Sequence, residues 1–174
     1  QGAGTAPVLK PTDIGGALSL TAGSIAHSGT LIAQGGKLTL EATTGDLVLT
    51  GNALLSAAGT RIAIGDLIQD TPAGAIRLFA DAGNVTLGAG TTVDVSAAGR
   101  GYAGSLAIYS AGTTTLQGTL KGGAQYNDLG GEFTLIAGAM SGGLPLNAGF
   151  TRSFAVSLGQ GDIAIASGQT LTSE

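Results

Sequence analysis

The residues of this chain that could do chemistry are one histidine, a few carboxylates and fewer cations. His27 is the only histidine and there is no cysteine, so neither a zinc site nor a thiol nucleophile has a set of partners of its own kind. His27 therefore reads as a surface or corner residue. Asp46, Asn84 and Asp162 each follow a glycine, in Gly45-Asp46-Leu47-Val48-Leu49, Gly83-Asn84-Val85-Thr86-Leu87 and Gly161-Asp162-Ile163-Ala164-Ile165. A calcium ladder built on them would need several carboxylates together and an acidic nonapeptide repeat, and the sequence has neither. Glycine reaches positive φ at little cost, and Asp or Asn bonds its own backbone two residues on, so the three read as structural corners. Asn84-Val85-Thr86 also matches the glycosylation sequon, but it falls in an expected strand. Glycoside cleavage needs two convergent carboxylates about 5–10 Å apart. The outward candidates Glu41, Arg77 and Asp94 come from different strands and make no convergent set. Aromatic residues, the usual sugar platforms, are only 4% of the chain. No catalytic residue, metal or cofactor is predicted, and a carbohydrate-active enzyme is the weakest of the functional readings.

The elements that must position these groups are short strands. A seven-residue motif, glycine followed by alternating apolar residues and closed by Ala or Ser, occurs as Gly16 to Ala22, Gly36 to Ala42, Gly74 to Ala80, Gly104 to Ser110 and Gly131 to Ala137. The copies start 20, 38, 30 and 27 residues apart. Strand side chains alternate with a period of two. Leu18, Leu38, Ile76, Leu106 and Phe133 therefore form one inner row, and Leu20, Leu40, Leu78, Ile108 and Leu135 the next. A second strand begins at each Gly-Asp or Gly-Asn corner, with Gly112 to Leu116 a weaker copy and Ser24-Ile25 a remnant. Third strands are expected at Thr30 to Ala33, Ala53 to Ala57, Thr92 to Ser96, Thr119-Leu120 and Thr170 to Thr172. Apolar residues recur at two and not at 3.6, so no helix is expected.

Strands this short are not stable as isolated hairpins. Coiling the chain so that equivalent strands stack in parallel covers every apolar face. The expected fold is all-β: a parallel β-helix, a three-faced solenoid of about five to six coils with loop inserts. A β-sandwich or up-and-down barrel also uses many short strands, but neither gives a reason to repeat one strand sequence. Inserts near 61–72, 121–130 and 138–152 account for the uneven spacing, and Ser153 to Leu158 adds one alternating strand. Residues 1–14, with Pro7 and Pro11, read as an irregular lead-in or linker, and 15–174 as a single repeat domain. The pattern still running at Leu171 suggests a piece of something longer.

On the outer face, the residue after the second inner apolar position is Thr21, Glu41, Phe79, Tyr109 and Ile136 in successive copies. Phe79, Tyr109 and Ile136 would stack as an exposed apolar ladder, the strongest binding candidate in the sequence. The competing reading is that the loop insert carrying Leu144, Leu146 and Phe150 covers it.

Composition narrows the partners. The chain has 174 residues, a net charge of −4 and seven Lys and Arg, placed singly between Lys10 and Arg152. With no basic stripe to neutralise phosphates, nucleic acid is not an expected partner. No run of 18 apolar residues appears, so no membrane span is expected, and the first residues do not read as a signal peptide. At 43% hydrophobic and 10% charged, the chain is the reverse of a disordered one. With no Trp, 4 Phe and 3 Tyr, Leu, Ile, Val and Ala must fill its interior.

GGxLxLxA followed by GDLVLTG and an AAG corner resembles the shafts of filamentous haemagglutinin-like large exoproteins, adhesins of the two-partner secretion type. The likeness covers most of residues 15 to 174 and is strongest from Gly74 to Gly138. It implies right-handedness, an extracellular or bacterial cell-surface location and a structural or adhesive role, and it transfers no individual binding or catalytic residue. The Asn-Pro motifs of that family's secretion domain are missing. Implied partners are other segments of a longer chain, copies of itself through its ends, or a host glycan or protein. A filament-forming subunit stacking end to end is the alternative.

Overall fold

In the computed structural model, residues 14–163 and 165 are described; all but the last residue of the expected lead-in at 1–14, and the strand at Thr170 to Thr172, lie outside them. The chain makes repeated passes. The first is β1 (Ala17–Ala22), β2 (Ile25–His27) and β3 (Thr30–Ile32), and the second is β4 (Lys37–Ala42), β5 (Leu47–Leu49) and β6 (Leu54–Ser56). A hairpin of β7 (Arg61–Ile64) and β8 (Leu67–Asp70) precedes the third pass, β9 (Ala75–Ala80), β10 (Val85–Leu87) and β11 (Thr92–Asp94). Then come β12 (Ser105–Leu116), β13 (Thr119–Lys121), a single 3-10 turn at Asn127–Leu129, β14 (Glu132–Gly142) and β15 (Ser153–Leu158). Among the described strands only β7 and β8 pair antiparallel.

The expected right-handed, three-faced parallel β-helix is not what the chain forms. Nine strands belong to one nearly closed, barrel-like parallel sheet in the order β1-β4-β9-β12-β10-β5-β2, with β14 beside β12 and β15 beside β14. A separate four-stranded sheet runs β13-β11-β6-β3. The cause lies in β12. Its first half pairs with β9 and its second half, from Thr114, with β10. First- and second-strand motifs, expected on separate faces, are therefore one hydrogen-bonded surface, bent where the β12–β14 register shifts between Ser110 and Thr113. The small residues Ser110-Ala111-Gly112 allow the bend. Ser110 Oγ bridges it internally, donating to the Gly112 carbonyl at 3.1 Å and lying 2.9 Å from Thr114 Oγ1. The two ends of the sheet path, β1 and β2, are joined by only Gly23-Ser24, which brings the edges together and nearly closes the sheet.

The interior is a stack of apolar rows in unshifted register. Leu18, Leu38, Ile76, Leu106, Phe133 and Phe154 are aligned, as are Leu20, Leu40, Leu78, Ile108, Leu135 and Val156. The middle members are fully buried, with Leu38, Leu40, Ile76, Leu78, Phe133 and Leu135 at 0% exposure, whereas Leu18 and Leu20 on the edge strand β1 remain 36% and 38% exposed. A fully buried side chain of this size contributes about 1.5–3 kcal/mol relative to an exposed one, so the body is held chiefly by its central passes.

The motif glycines have a steric cause. A Cβ on Gly36 would collide with the carbonyl oxygen of Gly16, one on Gly74 with that of Gly36, and one on Gly104 with that of Gly74. Those same oxygens accept the next pass's N–H groups, Lys37 to Gly16 at 2.8 Å, Ala75 to Gly36 at 2.8 Å and Ser105 to Gly74 at 3.1 Å. Successive backbones meet too closely there for any side chain.

The inserts differ from simple loops. Residues 61–72 hold the β7–β8 hairpin, turning at Gly65 with φ +60° and exposing Leu67 and Ile68 by 63% and 67%. Residues 121–130 contain the 3-10 turn. Gly138 to Gly142, expected at the head of an insert, instead continues β14.

Candidate functional site

The outer row is Thr21, Glu41, Phe79, Tyr109, Ile136 and Ser157, one residue from each of β1, β4, β9, β12, β14 and β15. The period-two alternation that buries Leu78, Ile108 and Leu135 turns the next residue outward. Phe79 and Tyr109 are half-buried, their rings parallel within 10° and 5.0 Å apart between centroids; Ile136 is 46% exposed. Because the two rings face each other along the stacking direction, with Glu41 and Ile136 next in the row on either side, they present their edges outward: a ridge, not a flat platform. Glu41 continues the row and accepts a hydrogen bond from Thr21 Oγ1 at 3.2 Å, and the exposed Arg77 lies two residues before Phe79 on the same face. The ridge can offer apolar contact with a carboxylate and a guanidinium beside it.

The loop insert does not cover the ridge. Phe150 is 4% exposed and packs on Phe133 at 5.3 Å, as part of the buried core. Leu144 and Leu146 lie with Leu116 and Leu120 around a shallow depression on the opposite side of the β12 bend. The insert thus gives Phe150 to the core, and Leu144 and Leu146 to a surface depression.

The corner residues are partly brought together. Asp46 Oδ1 accepts from the Asn84 backbone N–H at 2.8 Å and from Asn84 Nδ2 at 3.0 Å, and Asn84 Oδ1 accepts from the Thr113 N–H at 2.7 Å. This side-chain ladder ties three passes at one corner and occupies the nitrogen of the glycosylation sequon. Asp162 does not join it, being exposed near Met140, Leu144 and Leu158. His27 ends β2 opposite Leu49, half-buried, with Nε2 buried and without a hydrogen-bond partner among the described residues. It points inward rather than lying on the surface.

Glu41 and Arg77 share the outer face of the paired strands β4 and β9, one strand apart on the diagonal, but Asp94 does not join them. Asp94 sits in the four-stranded sheet, where Oδ1 accepts from Ser96 N at 2.9 Å and Ser96 Oγ at 2.6 Å, with Lys121 Nζ 4.0 Å from its other oxygen. Among the described residues no group of three potential metal ligands forms, and no helix is long and apolar enough to cross a membrane. Asp70 carries the resolved electrostatic shift. Its carboxyl is held below its ordinary value by the N–H of Arg100, with burial opposing and the Arg61 guanidinium, 2.8 Å away, adding. This clamp fixes the base of the β7–β8 hairpin, which sequence reasoning passed over although Gly65-Asp66 between two alternating runs was its signal.

No family model, curated protein or solved structure matches this chain.

Proposed function

We propose that the chain is a structural, adhesive segment of a secreted or cell-surface bacterial exoprotein, a stiff parallel-β body that presents its outer ridge to a partner. The observation that carries this reading is the outward row Phe79, Tyr109 and Ile136, aligned across three adjacent strands, with the first two half-buried and Ile136 exposed. Soluble domains rarely leave contiguous apolar surface bare without a use for it. The resemblance to haemagglutinin-like exoproteins supplies the cellular setting. The test is the triple variant Phe79→Ser, Tyr109→Ser, Ile136→Ser. Loss of the ring pair costs about 0.5–1.5 kcal/mol in addition to the partial burial of the two rings, roughly 1.5–3 kcal/mol, so the variant folds with a lower melting midpoint while binding to cultured cells drops to background. Unchanged binding by the folded variant refutes the reading.

A second reading, a filament-forming subunit stacking end to end, draws on Leu18, Leu20 and Ile32, inward or rim residues of the first pass that remain 36%, 38% and 52% exposed. Edge strands template further pairing. Electron micrographs of the purified chain decide it: filaments with a fixed axial repeat support stacking, and discrete short particles oppose it.

A further inference from the structure

A shallow, open groove of about 510 Å³ runs across the starts of β4, β9, β12 and β14, at a corner distinct from the outer ridge. Its floor is the glycine column Gly36, Gly74 and Gly104. The floor is bare because the close approach of successive passes demands it, so it needs no ligand to account for it. The walls have no such cause. Lys37, Ser105 and Glu132 line one side, and Tyr102 and Arg152 also face the groove. Tyr102 is 55% exposed. Arg152 Nε lies 2.9 Å from Glu132 Oε1, and its Nη2 donates to the Ala103 carbonyl at 3.4 Å. Lys37 is exposed and has no ion pair among the described residues.

Two features of the groove select a class of ligand. The first is that its main-chain donors are used. The N–H groups of Gly36, Gly74 and Gly104 bond to Ala33, Ala57 and Val95, and those of Lys37, Ala75, Ser105 and Glu132 bond to the glycine carbonyls of the neighbouring pass. An extended peptide docks on a sheet through its main chain, and this floor has no donor to give it. Recognition must come from side chains. The second is the charge. Two cations and one carboxylate leave the walls net positive on a protein of net charge −4. Lys37 and the Glu132–Arg152 pair stand three strand spacings apart, about 14 Å, a separation suited to a short linear oligomer and too long for a single small anion.

We propose that this groove binds a linear, carboxylate-bearing glycan. Lys37 meets an acidic group at one end, Arg152 offers at the other the N–H groups not taken by Glu132 and the Ala103 carbonyl, Tyr102 packs its ring against a sugar face, and Ser105 bonds a hydroxyl between them. The site is independent of the outer ridge, and the two readings stand or fall separately.

The probe is tetragalacturonate, with maltotetraose as its neutral counterpart, titrated into the chain by calorimetry. Saturable binding of tetragalacturonate is expected, weakening with added salt, with no saturation by maltotetraose. Lys37→Glu should weaken it at least tenfold and Tyr102→Ala several-fold, both variants melting with the parent because the two side chains are exposed. The triple serine variant of the ridge should bind as the parent does. Absence of binding at millimolar tetragalacturonate, equal binding of maltotetraose, or undiminished binding by Lys37→Glu overturns the proposal. So does loss of binding in the ridge variant alone.

Discussion

Replacing Gly74 with alanine tests the steric account of the repeat at its tightest point. Alanine normally gains about 0.4–1 kcal/mol over glycine by restricting the unfolded chain, so a positive effect would be the default at a site with room. At Gly74 the new methyl group would meet the Gly36 carbonyl oxygen, which accepts the Ala75 N–H at 2.8 Å. That neighbour is backbone and cannot rotate away. β4 and β9 must separate locally, with an overpacking cost of about 1–3 kcal/mol and weakening of a hydrogen bond worth about 0.5–1.5 kcal/mol. The net expectation is a loss of about 2–3 kcal/mol. For a domain of this length that lowers the melting midpoint by about 5–10 °C. Gly16 is the control: it holds the same motif position on β1's pass, yet nothing lies within 4 Å of a Cβ built there. Gly16→Ala should leave the midpoint unchanged or raise it slightly. Calorimetric or dichroism melts of the two variants decide the matter. If Gly74→Ala melts with the parent, or Gly16→Ala loses as much as Gly74→Ala, close backbone approach is not the reason for the glycines.

Two further outcomes follow from the corner and the hairpin. Asn84→Asp sets a second carboxylate where Nδ2 now lies 3.0 Å from Asp46 Oδ1, so the variant should lose about 1–2 kcal/mol at neutral pH. The introduced carboxyl is raised in the folded state, so the penalty is present above its unfolded value and is relieved on acidification. Melts at pH 7 and pH 4 should converge toward the parent's at the lower pH, and a constant difference contradicts the like-charge account. For Asp70 the sign is opposite: its folded value lies below the ordinary 3.8, so the hairpin clamp is complete above that value and is lost as pH falls through the lower folded one. The Arg100 amide resonance should follow that titration with a midpoint below 3.8, and Asp70→Asn should abolish it. A midpoint at or above the ordinary value rejects the clamp.

The inner rows were legible because the period of two in Leu38-Thr39-Leu40 and its copies admits one buried face, and a slip by one residue would expose all of it. The outer row Phe79, Tyr109 and Ile136 followed from the same parity. The number of faces was not legible. Ala42-Thr43-Thr44-Gly45 and Ser110-Ala111-Gly112 look alike as small-residue corners. Yet the first interrupts the strand and the second carries it through, a choice made by the neighbouring β14 ladder rather than by local composition. Phe150, expected in an insert lying over the outer row, instead packs its ring on Phe133 in the core, a long-range contact that local composition does not reveal. The groove was invisible for a related reason, since Lys37, Tyr102 and Arg152 are far apart in sequence and meet only through stacking.

The hairpin shows what this architecture leaves free. Between β6 and β9 the chain leaves the body and returns with Thr60 and Thr71 clasped, the Thr71 hydroxyl accepting from the Thr60 N–H at 2.9 Å and donating to its carbonyl at 3.0 Å. β4 and β9 nonetheless align residue for residue from Lys37–Ala75 to Ala42–Ala80. Contour length between passes is thus uncoupled from alignment within them. A foreign peptide spliced at the Gly65-Asp66 turn would ride outward as cargo, and the chassis beneath would keep its alignment.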